Sequence, residues 1–332
     1  MQDQPTIVTS DAAPREPSLF DVKPIETWRY NRDKPLGHRL AIDSRGHVVG
    51  RYSIWHRHTP RSNGRALGCI GHYAATDATT AREMLECASR ELEQFGCDDA
   101  VAPMDGNTWR PYRVVTHFGD EPTFFMEPTN PRDWADHFVG AGFKAIAHYV
   151  SSRVTQPLAW SDRLGAVAAR IEQQDIRIRP LELSQYEAEL GRIHAVSLEA
   201  FAGAPFFTPI DWWEFLQLYQ PLQSFIEPRL VQLAERAGEI VGFAFAVPDY
   251  CQRERGEAID QMIVKTVAVR PDRRLAGLGH LLTHRCQAAG WALGYRRAVH
   301  ALMHESNRSR QLGGPSARVI RRYALFGREL TP

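Results

Sequence analysis

Arg274, Gly277 and Gly279 stand in the spacing Arg-x-x-Gly-x-Gly, between an apolar run and the start of an amphipathic helix. The run Val264-Lys-Thr-Val-Ala-Val reads as a strand, and Pro271 stops it. Beyond the glycines, Leu278, Leu281, Leu282, Ala289 and Leu293 fall near one helical face, while His284 and Arg285 turn away from it. Such an arrangement suits an anion. Glycines let the backbone approach a ligand and aim its N–H groups at it, and the helix start adds a partial positive charge. Arg270, Arg273 and Arg274 surround the loop with further charge. An isolated Gly-x-Gly is more often a tight turn. Strand, proline stop, arginines, glycines and helix in this order point instead to a diphosphate site.

The stretch resembles the acyl-CoA-binding motif of the GNAT superfamily, Arg/Gln-x-x-Gly-x-Gly/Ala, through Arg274, Gly277 and Gly279. The resemblance implies that Arg274, Leu275, Ala276, Gly277, Leu278, Gly279 and His280 hold the CoA pyrophosphate, mainly through backbone amides. It implies that Val267, Ala268 and Val269 offer backbone hydrogen bonds to the acyl carbonyl and pantetheine. The next strand, 297–304, would splay away to admit the CoA arm, and Asn307 would touch the cofactor. Acetyl-CoA is the expected donor, another acyl-CoA being compatible, and an amine of a small molecule the expected acceptor. The resemblance rests on motif and context over 176–332, and over 38–157 on element order alone.

Acyl transfer from a thioester to an amine needs a neutral amine, a stabilised oxyanion and a protonated leaving thiolate. The family often protonates the thiolate with a tyrosine after the second cradle strand, but Asn307-Arg-Ser-Arg-Gln-Leu-Gly-Gly contains none. Tyr323 is the nearest substitute, although beside Leu325 and Phe326 it reads equally as a strand tyrosine. His300 and His304, with Leu302 between them, alternate onto one strand face, and either is a candidate base. Asp260, just before the cradle strand, is a third candidate base or an anchor for a cationic substrate; an exposed loop carboxylate is the competing reading. Trp212-Trp213 beside Phe206-Phe207 line an acceptor pocket or fill a core, and Asn107-Thr-Trp-Arg110 could face a cleft between the halves. His56-x-His58 and Cys69-x-x-His72 lack a second pair at matching spacing, so no metal is expected.

The elements that must position these groups repeat along the chain. The first half reads as strands near 38–45, 47–56 and 66–76, a helix with Met84, Ala88, Leu92 and Phe95 on one face, a short strand, a helix and a closing strand. Thr80-x-x-Glu83 has the form of a capping box for its first helix. After 158–175, a helix-prone linker, the order is strand, two helices, three strands, helix and two strands. The expected class is α/β (α+β): two tandem GNAT-like domains, each a mixed, mostly antiparallel sheet with a parallel β-α-β cradle. The boundaries are 1–18 (disordered leader), 19–157 (degenerate first copy), 158–175 (linker) and 176–332 (acyl-CoA-binding copy). The first copy carries Thr76-Asp77-Ala78-Thr79-Thr80 where glycines belong, and Asp77 would repel a pyrophosphate. It is expected to shape the substrate cleft or support its neighbour rather than bind CoA.

Composition limits the partners. Lys plus Arg number 40 against 39 Asp plus Glu, a formal net charge of +1, which argues against nucleic acid and anionic membranes. Five scattered cysteines suit free thiols in a reducing cytoplasm. A monomer or homodimer is expected. Three alternatives stay open: a non-catalytic acyl-CoA sensor, a protein lysine acetyltransferase, and an aminoacyl-tRNA-dependent transferase, the last opposed by the intact glycine cradle.

Overall fold

The segment RALGCIGHYAA is apolar almost throughout because, as an interior strand, it is covered on both faces; nine consecutive residues from Leu67 are buried. The same holds for EIVGFAFAVP in the second half. The computed structural model describes residues 4–10, 25–62, 64–306 and 316–330. The first half contains β1 (Thr6–Ser10), α1 (Thr27–Asp33), β2 (Gly37–Ile42), β3 (Val48–Trp55), β4 (Arg61–Ser62), β5 (Arg65–Ala75), α2 (Ala78–Gln94), β6 (Asp99–Ala102), β7 (Val114–His117), α3 (Trp134–Gly140) and β8 (Lys144–Val154). The linker forms α4 (Asp162–Glu172), capped by Ser161. The second half contains β9 (Arg177–Pro180), α5 (Tyr186–Ala200), α6 (Trp212–Tyr219), β10 (Val231–Arg236), β11 (Glu239–Pro248), α7 (Tyr250–Glu254), β12 (Gln261–Val269), α8 (Leu278–Ala292), β13 (Arg297–His304) and β14 (Arg318–Glu329).

One sheet runs through both halves in the order β1-β2-β3-β5-β6-β14-β8-β13-β12-β11-β10-β9. Two parallel pairs, β5 with β6 and β12 with β13, are bridged by the crossover helices α2 and α8. Each half therefore holds one strand–helix–strand cradle inside an otherwise antiparallel meander, as the element order predicts. The ends of the halves are exchanged. β8 closes the first half along the chain but pairs with β13, whereas β14 closes the second and pairs with β6. These two strands also pair with each other, from Arg318↔Arg153 to Gly327↔Lys144.

Two local expectations are corrected. Within the segment expected as a disordered leader, Thr6–Ser10 add an edge strand to β2, and extended backbone gains a full antiparallel ladder there. The first crossover helix starts at Ala78 with Asp77 as its cap, not Thr80; the Asp77 carboxylate reaches the Thr79 and Thr80 N–H groups from outside the helix.

The cores follow the layers. Met84, Leu85, Leu92 and Phe138 from α2 and α3 pack on one sheet face together with Phe326 of the exchanged β14. In the second half, α4 and α8 cover one face through Leu164, Val167, Leu278 and Leu282, and α5 and α6 cover the other through Leu190, Val196 and Phe215.

Candidate functional site

β12 and β13 pair only from Gln261↔Arg297 to Val264↔His300, then part. Both strands bulge at that point. In β12, Val264 faces Ala246 and Thr266 faces Phe245, which makes Lys265 the extra residue. In β13, Ala301 and Leu302 stand opposite the single Ser151 of β8. Leu302 adopts φ 60°, rare for a branched residue, and it is held there. Its N–H donates to Ser151 Oγ at 3.1 Å and its carbonyl accepts from Arg113 Nη1 at 3.1 Å. The result is a gap beside Lys265, Thr266, Val267, Ala268 and Val269, whose edge toward β13 carries no ladder.

At the far end of this gap lies the glycine loop. Gly277 caps α8 with φ 85°, and a Cβ there would come within 2.8 Å of Val167 on α4, so both backbone and packing require glycine. Gly279 is different. A Cβ on it would meet nothing closer than Val267 Cγ1 at 3.4 Å, so the fold leaves room above the helix start. Among the described residues, none accepts a hydrogen bond from the N–H groups of Gly277, Leu278 or Gly279. Unpaired amides, an open approach and a helix dipole together fit a pyrophosphate. Leu275 and Leu278 anchor the loop in the core, whereas Ala276 and Gly277 face outward.

The charge around this loop differs from the expected set. Arg274 is paired with Asp272 at 2.7 Å, and Arg270 with Glu239 at 3.0 Å and Glu199 at 3.5 Å. Arg273 is exposed and has no ion pair among the described residues. The linker helix adds cations that sequence reasoning missed. Arg170 donates to the Ala276 carbonyl, and Arg163 lies close enough to His280 that its charge, after burial, pushes that imidazole below its ordinary value.

The corresponding place in the first half is closed by the chain itself. Asp77 accepts from the N–H groups of Thr79 and Thr80, both at 2.9 Å, and so occupies the start of α2. Burial would raise its carboxyl, but these bonds and the Thr76 and Thr80 hydroxyls hold it below the usual range. The gap after β6 is filled too. Met104 N–H donates to the Ile70 carbonyl at 2.8 Å, and His72 N–H to Asp105 Oδ1 at 2.7 Å. Gly71 lets this segment in, since a Cβ there would lie 2.4 Å from both the Met104 carbonyl and Asp105 Oδ1.

The candidate acids and bases do not converge on the open gap. His300 and His304 were expected on one face; the bulge at Ala301–Leu302 inserts a residue and turns them apart. His300 is buried against α8, where Gln287 Nε2 approaches its Nε2 at 2.8 Å. The Gln287 Oε1 accepts from Leu158 N–H, so its amide nitrogen donates to His300, which burial pushes down to about 4. His304 lies on the other face with its ring edge-on to Tyr149 and its Nδ1 accepting from Ser306. Tyr323 is fully buried, two strands from β12's partner edge; its hydroxyl donates to Glu127 Oε1 at 2.6 Å and lies 3.0 Å from Ser151 Oγ. Burial, then Glu127, drives that phenol far above its ordinary value. Asp260 sits at the opposite end of β12 from the loop, bonded by Arg297 and Gln252, which outweigh burial and keep its carboxyl low. Asn307 lies outside the described residues.

First-half segments line the second-half site instead. Trp109 packs among Phe201, Phe207 and Phe215 and donates to the Thr208 carbonyl at 2.8 Å, while Arg110 pairs with Glu214 of α6 at 2.7 Å. Of the aromatics expected as pocket or core, Phe207 packs on Trp109 and Trp212 on Phe215, Phe206 joins the cluster of Trp55 and Tyr149, and Trp213 points outward at 68% exposure. The loop carrying Phe124, Phe125, Met126 and Glu127 covers the face of β12 and β13 that bears Ile263 and Val299. A buried Asp33–His72–Asp105 group has the ligand types of a metal site, but its carboxylates already pair with Arg32 and Arg29 at 2.7 Å each. All five cysteines are free, and no described helix is long and apolar enough to cross a membrane.

No family model matches the sequence, and no curated protein does. Solved structures match its fold. A tandem GNAT protein from the clavulanic acid biosynthesis pathway is similar over 99% of this chain and 99% of its own, with a TM-score of 0.50 at 11% identity. A GCN5-related N-acetyltransferase from Anabaena variabilis covers 94% of this chain and 68% of its own length, with a TM-score of 0.53 at 10% identity. A glucosamine N-acetyltransferase region of a fungal multi-domain β-N-acetylglucosaminidase gives a TM-score of 0.54 at 13% identity, covering 93% of this chain but only 35% of that one. The chain has the fold of the GCN5-related N-acetyltransferases, repeated in its two halves.

Proposed function

We propose that the chain is an acyl-CoA-dependent acyltransferase that uses acetyl-CoA and acylates an amine of a small molecule at a single site in its second half. The contrast between the two crossovers carries this reading: α8 begins with amides that no described residue accepts from, beside a gap in the ladder, whereas α2 is capped by Asp77 and its gap is filled by Met104 and Asp105. The amides of Gly277, Leu278 and Gly279 would bind the pyrophosphate, with Arg273, Arg163 and Arg170 supplying charge nearby. The free edge of Lys265–Val269 would take the pantetheine arm and polarise the thioester carbonyl. The amine then attacks that carbon, a C–N bond forms, the C–S bond breaks, and the thiolate leaves with a proton from the amine. The near-balanced net charge supports a small acceptor over nucleic acid. The first half acts as scaffold, through Arg113, Ser151 and the segments that cover the second-half sheet.

The sealed position of Tyr323 favours one rival, an acyl-CoA sensor without turnover. Thiol release from acetyl-CoA, followed with and without a panel of amines, separates the two. Amine-dependent release supports the transferase. Binding of acetyl-CoA with no release for any amine leaves the sensor.

A further inference from the structure

Arg113 is a buried cation, only 8% exposed, that no carboxylate pairs among the described residues. Its guanidinium carbon lies 3.7 Å from the Tyr112 ring centre and 3.9 Å from that of Tyr149, and Nη1 donates to the Leu302 carbonyl. Two basic side chains lie near it: after burial, its field helps push His304 and Lys265 below their ordinary values, with Glu305 opposing at His304. Lys265 is the bulge residue of β12, at the apex of the gap, and its Nζ donates to the Met126 carbonyl at 3.0 Å. Burial, then Arg113, brings Lys265 down to about 7, with Glu127 opposing. Glu127 is engaged elsewhere: its Oε1 accepts from Arg321 Nε at 2.8 Å and the Tyr323 hydroxyl, and its Oε2 from Phe124 N–H.

We propose that Arg113 and Lys265 form an anion site at the apex of the gap, and that its occupant is the carboxylate of the acceptor. Buried charge is stable when paired, and a guanidinium that no described carboxylate pairs, beside a lysine amine, is completed by a single negative charge. The Tyr112 and Tyr149 rings, perpendicular to each other with centres 5.7 Å apart, pack against two adjacent sides of the guanidinium, and its N–H fork matches a planar carboxylate. Phosphates are provided for elsewhere, at the start of α8. The anion site stands on the structure alone. Naming its occupant as the acceptor rests on the proposed acyl transfer, and it makes the acceptor an amino-carboxylate, the amine and the carboxylate on one molecule.

The chain has four lysines, Lys23, Lys34, Lys144 and Lys265, so the Lys265 titration can be followed by NMR with lysine labelled at Cε and assigned with Lys265→Arg. The full chain, saturated with CoA, is titrated in the presence of N-acetylglycine, its neutral isostere N-acetylglycinamide, or methyl phosphate. N-acetylglycine is expected to raise the Lys265 midpoint by about one pH unit or more, and the amide to leave it in place. Arg113→Gln is expected to raise the midpoint by itself and to abolish the response to N-acetylglycine. An equal response to the amide, a stronger response to methyl phosphate, no response to any probe, or a full shift with CoA alone would each overturn the proposal. Calorimetric CoA binding by the same samples reads the glycine cradle separately, so failure of the anion site and failure of the acyl-CoA reading are distinguishable.

Discussion

Gly279 and Gly277 look alike in the motif but differ in what the fold asks of them. Gly277 is required by its φ of 85° and by Val167, so its replacement disturbs α4 as well as any ligand. Gly279 has room for a side chain and is the cleaner probe. Gly279→Glu should keep the thermal midpoint near that of the parent while weakening CoA binding by about 3 kcal/mol, roughly 100-fold, because a carboxylate then faces the pyrophosphate. Native melting with unchanged affinity would remove the cradle. His300 tests a different property. It is neutral when folded, at about 4 against an ordinary 6.5, so the unfolded chain binds its proton first. Its share of stability is intact above pH 6.5 and is lost as pH falls from there toward 4, up to about 3 kcal/mol. His300→Gln should flatten that part of an acid-unfolding curve; an unchanged acid limb would show that His300 does not titrate in this way. The cradle residues were legible in the sequence because loop, stop and helix are contiguous. Arg113, Arg163 and Arg170 were not, since each reaches the site through tertiary packing.

At the scale of elements, helix starts decide which half can take an anion. Asp77→Ala should cost about 1 kcal/mol, the usual loss of a cap, and still not create a second CoA site, because Met104 and Asp105 continue to fill the gap. Binding of a second acetyl-CoA by that variant would contradict the account of the first half. The crossovers themselves were readable from apolar runs and helical spacing. The bulges were not. Leu302 carries no glycine signal, and its φ of 60° is imposed by Ser151 and Arg113, residues far away in the chain. That one inserted residue also undid the expectation that His300 and His304 share a face.

Across the whole molecule, the exchange of β8 and β14 joins the halves into one sheet. Each terminal strand completes the other half, and Phe326 and Leu330 belong to the first-half core. Local pattern marks both segments as strands but says nothing of their partners, so the sequence suggested a boundary that the sheet crosses. Unfolding should therefore be a single transition reported alike by probes in either half, and removal of 316–332 should abolish the native fold of the first half. Two separated transitions, or a folded first half after the truncation, would show that the exchange carries little of the stability.

The measurement that bears most directly on function is calorimetric titration of the full chain with acetyl-CoA, beside the Gly279→Glu variant. Saturable binding of about one acetyl-CoA per chain is expected, weakened roughly 100-fold in the variant. No binding, two equivalents per chain, or equal affinity in both proteins would contradict a single working cradle at the start of α8.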